Sequence, residues 1–104
     1  MNLEIKKITP VTNGYVYKVE LTESEEVSQH EVSLTETDYQ KLSQQGQITP
    51  EELLYYSFQF LLTRESASAI LPVFDLSVIG EYFPDYFQYL NDIIINKKNG
   101  FSGL

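Results

Sequence analysis

The chain has 104 residues, and 15 acidic side chains against 7 basic ones give a net charge of −8. That balance disfavours binding to nucleic-acid phosphates or anionic lipid. There is no cysteine, which excludes disulfides, thiolate nucleophiles and cysteine-held metals and is compatible with a reducing cytoplasm.

The length and the 42% hydrophobic content fit one globular domain over residues 1–104. The opening "MNLEIKKITPV" carries no apolar run of signal-peptide length, and no stretch approaches the roughly 20 residues of a membrane span. The expectation is a soluble, cytoplasmic protein.

Residues 3–8, "LEIKKI", and 15–22, "YVYKVELT", read as two strands joined at Asn13-Gly14, the strongest short hairpin signal. Pairing about that turn sets Ile8 opposite Val19 and Lys7 opposite Glu20, with Tyr15, Tyr17, Val19 and Leu21 on one face. Leu3 and Ile5 are then out of phase with Ile8, and a bulge near Lys6-Lys7 restores them to the core face. Pro10 belongs at an edge or an irregularity, because it cannot donate a ladder hydrogen bond. After a polar turn, "ESEE" at 23–26, a third strand covers 27–34, with His30, Val32 and Leu34 on one face. The strands form an antiparallel meander over residues 3–34.

The period then changes. Thr35 followed by Asp38 resembles a capping arrangement, and "TETDYQKLSQQ" reads as a short helix stopped by Gly46. "TPEELLYYSFQFLLTRE" opens a second helix, with Thr49 as N-cap, Pro50 at the first position and Glu51 and Glu52 at the positive end of the dipole. Its apolar residues cover most of its circumference, so it is a central helix. "SASAILPVF" offers a helical turn ended by Pro72. "DLSVIGEYF" reads as another short helix capped by Asp75. Pro84 opens the last helix, about 84–97, and Asn99-Gly100 stops it before a flexible tail at 98–104. The fold class is α+β: a three-stranded antiparallel meander followed by about four helices packed on one face, the helical part spanning 35–97.

Residues 30–87 resemble a set of small, stand-alone bacterial proteins. The shared features are a His-Glu-Val strand, a "TPEEL" helix start, a "FLL.RE" helix end and a "FDLSVI..YFP" segment. The resemblance implies a bacterial domain and no activity, since its motifs are mostly caps and core positions.

No constellation of catalytic residues stands out. His30, the one histidine, shares a strand face with Val32 and Leu34 and reads as a partly buried structural residue. There is no serine elbow and no phosphate-binding glycine loop. A calcium loop would need a central glycine that "TESEEVSQHE" lacks. No metal, cofactor or catalytic residue is expected. Arg64, the one arginine, suits the end of the central helix and a salt bridge to Asp75 or another acid.

Two surfaces remain. From Val19 to Gln40 there are Glu20, Glu23, Glu25, Glu26, Glu31, Glu36 and Asp38 and no lysine or arginine, which on a small meander predicts a concentrated negative patch. The second is "GEYFPDYFQYL" at 80–90, with five rings in eleven residues. Phe83, Phe87, Leu90 and Ile94 predict a core stripe. Tyr82, Tyr86, Tyr89 and Ile93 predict a parallel stripe left for a protein contact, most simply in a homodimer. The reading is a non-enzymatic protein-interaction module that binds a protein partner or itself, with no nucleic-acid or membrane contact. The alternative is an acidic inhibitor, antitoxin or nucleic-acid mimic that neutralises a basic partner.

Overall fold

The computed structural model describes residues 2–23 and 25–98, and the side chains of all of these except 2, 7–10, 23 and 98. The stop at Asn99-Gly100, the tail beyond it and the side chain of Glu23 lie outside the described residues.

Three ten-residue strands come first: β1 (Asn2–Val11), β2 (Gly14–Glu23) and β3 (Glu26–Thr35). They form the antiparallel meander expected from the sequence. The turn is Thr12-Asn13, one residue earlier than expected, with Val11 paired to Gly14. Asn13 takes the left-handed conformation, at φ 63°. Gly14 serves a different purpose from its neighbour. A Cβ on Gly14 would stand 2.6 Å from the carbonyl oxygen of Leu34, so β3 passes too close for any side chain.

The register also differs from the simple count. Pairing shifts between Lys7 and Thr9, so the bulge falls at Ile8. Ile5, not Ile8, opposes Val19, Leu3 opposes Leu21, and Lys7 opposes Tyr17. The bulge thus returns Leu3 and Ile5 to the core face, where both are half-buried.

Two helices follow. Thr35 Oγ1 accepts from the Asp38 amide to open α1 (Glu36–Leu42). This helix ends earlier than Gly46, because Gln44, Gln45 and Gly46 all take positive φ. Tyr39 Oη donates to the Ile48 carbonyl at 2.7 Å and braces that turn. Thr49 and Glu52 close a capping box on α2 (Pro50–Leu62). Lys97 pairs with Glu52 and, with the Thr49 amide, holds its carboxyl below the usual carboxylate range.

The chain then returns to the sheet. After a 3-10 turn at Ala67–Ala69, β4 (Val73–Asp75) runs parallel to β3, giving the order β1-β2-β3-β4. This fourth strand corrects the three-stranded expectation. It is anchored where Glu31 N donates to Pro72 O at 2.7 Å and Leu76 N to Ser33 O at 2.9 Å. Ser33 Oγ adds a bond to Asp75 Oδ2 at 2.8 Å. Asp75 is therefore a strand residue, and α3 (Val78–Tyr82) begins after Ser77. The last helix, α4, covers Tyr86–Lys98 and starts two residues past Pro84.

Helix α2 lies between the sheet and α4. Phe58 is fully buried, with its ring 5.7 Å from His30 and 6.0 Å from Phe74. Phe60 points the other way, 5.4 Å from Tyr86 and 5.0 Å from Tyr89. The core runs continuously from Tyr17, Val19, Leu21, Val32 and Leu34 of the sheet to Leu90 and Ile94 of α4. The opposite face of the sheet shows Glu4, Lys6, Lys18, Gln29 and Glu31 to solvent.

Candidate interaction surface

The rings of residues 80–90 divide in a way that the stripe count does not predict. Tyr86 is fully buried and Phe87 is 48% exposed, the reverse of expectation. The cause is a break in the helix. Tyr82 and Phe83 belong to α3 and its end, and Pro84-Asp85 form a turn before α4 begins. A stripe counted across that turn loses its phase. Within α4 the buried line is Tyr86, Leu90 and Ile94, at i, i+4 and i+8. Tyr89 and Ile93 flank it, half-buried.

The Tyr86 hydroxyl is satisfied inside the core. Ser57 Oγ donates to the Leu53 carbonyl at 2.6 Å. Its one proton is then used, so Tyr86 Oη donates to Ser57 Oγ, also at 2.6 Å. Burial pushes the ionisation of Tyr86 well above the ordinary phenol value. Ser57 carries no sequence signal for this role beyond being a small polar residue on an otherwise apolar helix. Tyr89 also titrates above its usual value, first through burial and then through Tyr56 and Tyr55.

Tyr82 is left outside, 70% exposed. It stands on the rim of an apolar groove of about 200 Å³. The buried side chains of Leu61, Ile70, Phe74 and Ile79 line it, bringing together the end of α2, the segment before β4, β4 itself and α3. Leu71, 49% exposed, is another rim residue. Glu65 supplies a rim carboxylate, exposed and without an ion pair or side-chain hydrogen bond among the described residues. Arg64 does not neutralise it. Its guanidinium is paired with Asp85, the acid that takes the place expected of Asp75, and stacks 4.7 Å from the Phe60 ring centroid.

The acidic stretch does not gather into one patch. Glu25 and Glu26 are exposed at the β2–β3 turn, while Glu36 and Asp38 lie at the start of α1, at the other end of β3. A ten-residue strand separates them, a span of about 30 Å. Glu36 and Asp38 there serve the helix start, with Gln40 donating to Glu36 Oε1 at 2.9 Å. Glu20 and Glu31 lie on the outer sheet face. There Lys18 sits directly across from Glu31 and Lys6 across from Lys18. The register thus brings bases from outside the acidic stretch into its middle, and the surface is of mixed sign.

His30 is structural. It is buried, Nδ1 lies 2.7 Å from the Leu71 carbonyl, and Nε2 lies 3.0 Å from Ser28 Oγ. The carbonyl only accepts, so Nδ1 is the donor; it ties the Leu71 segment to β3, while Nε2 is engaged by Ser28 of the same strand. Among the described residues no three metal-ligating side chains stand together, and no helix is long and apolar enough to cross a membrane. The chain matches no known family model, and neither a curated protein nor a solved structure is detectably similar to it.

Proposed function

We propose that this protein is a non-enzymatic interaction module that docks a segment of a partner protein in the groove between α2, β4 and α3. The observation that carries the reading is the groove itself: an apolar floor with exposed Leu71 and Tyr82 on its rim and Glu65, unpaired among the described residues, beside them. Its 200 Å³ is below the roughly 300–1,000 Å³ of small-molecule sites. It suits one large apolar side chain of a peptide rather than a cofactor. Such an anchor, desolvated in a pocket, is what concentrates energy at a protein interface. Glu65 favours a lysine or arginine beside the anchor, because a cation there meets an uncompensated carboxylate on a chain of net charge −8.

Selection of a displayed random-peptide library on the full chain tests this. The expected result is enrichment of peptides with an aliphatic or aromatic residue beside Lys or Arg. Leu71→Asp should abolish their binding, and Glu65→Lys should weaken it, each with an unchanged thermal midpoint. A selection that yields no such peptides, or peptides that bind Leu71→Asp equally well, would contradict the proposal.

A further inference from the structure

A separate surface, independent of the groove, lies on the far side of the sheet. Among the described residues β1 has a single neighbouring strand, β2, so its other edge is unpaired along its length. An open edge of this kind is a template for another strand. We propose that a second copy of this chain pairs with it, antiparallel and centred on Ile5, joining two four-stranded sheets into one.

The register follows from symmetry. A two-fold axis normal to a sheet keeps each side chain on its own face. Side chains alternate along a strand, so the axis must pass through a residue position and cannot fall between two. Three centres pair at least five residues of β1 between residue 2 and the bulge at residue 8. An axis through Glu4 sets Glu4 against its own copy. An axis through Lys6 does the same with Lys6. An axis through Ile5 sets Glu4 of each chain opposite Lys6 of the other, twice.

The outer-face charges fit that centre. Glu4 and Lys6 lie on the outer face, more than half exposed and ion-paired with each other at 3.4 Å, so pairing exchanges one solvent-exposed ion pair within each chain for two across the axis. Lysine on an edge strand ordinarily discourages pairing. In this register each Lys6 meets Glu4 of the other chain instead. On the inner face, Leu3 and Ile5 are half-buried at the margin of the core; the pairing sets Ile5 against Ile5 of the second copy and Leu3 opposite position 7, a lysine, so the core is extended across the axis at Ile5 alone. The pairing also has a natural end. Centred on Ile5 it runs from residue 2 to residue 8, where the bulge breaks the ladder, and Pro10 lies beyond it.

Sedimentation equilibrium of the full chain tests the pairing. The wild type is expected to be dimeric at on the order of 100 µM chain, a concentration at which modest interfaces associate. Lys6→Glu puts like charges opposite each other at both pairs and should weaken the dimer about tenfold or more. Combining it with Glu4→Lys should restore association. The register has its own readout, because the chain has no cysteine. A Glu4→Cys chain mixed with a Lys6→Cys chain should oxidise to a mixed disulfide-linked dimer, while neither variant alone should do so. A monomeric wild type at these concentrations, association indifferent to charge reversal, or Glu4→Cys cross-linking to itself would each overturn the proposal.

Discussion

Phe58→Ala is expected to lower the free energy of unfolding by about 3–5 kcal/mol, in the range of other buried aromatic truncations. The ring is fully buried on the sheet side of α2. It touches two elements that the local sequence does not hold together: His30 on β3 and Phe74 on β4. Removing it leaves a cavity bounded by the sheet on one side and the helix backbone on the other, and neither can collapse freely. The parallel β3–β4 pair is short, so Phe58 also supports the strand that the groove is built on. Urea denaturation reads the change directly. A loss below about 1 kcal/mol would mean that α2 is not the central helix.

The second large effect contrasts two tyrosines four residues apart. Tyr86→Ala should cost about 3–5 kcal/mol, because the ring is fully buried against Phe60 and its hydroxyl bonds Ser57 inside the core. Tyr86→Phe isolates the hydroxyl and should cost about 1 kcal/mol, the net value of one such bond. Tyr82→Ala should stay within about 0.5 kcal/mol, as for surface positions generally, because that ring is 70% exposed. The same denaturation series measures all three. Equal losses at Tyr82 and Tyr86 would mean that α3 and α4 share one continuous buried stripe.

Much of the architecture is legible in the residues because it rests on local chemistry. The hairpin at Asn13, the Thr35 cap and the Thr49–Glu52 box each depend on a few neighbouring atoms, though the turn is Thr12-Asn13 and not Asn13-Gly14. The alternation from Tyr17 to Leu21 and from His30 to Leu34 marks the buried sheet face without reference to anything distant. The bulge in β1 is legible as well, since Leu3 and Ile5 need a shift to reach the core, though its place at Ile8 depends on which residues form the turn.

The features that escape local reading are those fixed by distant partners. Val73-Phe74-Asp75 is too short to show a period, and it is a strand only because β3 offers Glu31 and Ser33 beside it. The phase of the rings at 82–89 depends on where α3 stops and α4 starts, which the turn at Pro84-Asp85 decides. Phe87 then rests over Gly80, where a Cβ would come within 2.4 Å of its ring. The acidic residues are clustered in sequence, seven between positions 19 and 40, and scattered in space, because a strand carries them to opposite ends of the sheet. The groove was invisible for the same reason. Glu65, Leu71 and Tyr82 come from three segments, and no spacing along the chain relates them.

The proposed docking of a peptide with an apolar anchor beside a basic residue in the α2–β4–α3 groove is open to direct measurement. Backbone amide shifts of the isotope-labelled full chain, titrated with a synthetic peptide taken from the library selection, test it most directly. Saturable shifts are expected, confined to the amides around Leu61, Glu65, Ile70, Leu71, Val78 and Tyr82. Shifts centred instead on Lys18, Glu20 and Glu31 of the outer sheet face would contradict it, as would a spectrum that does not change.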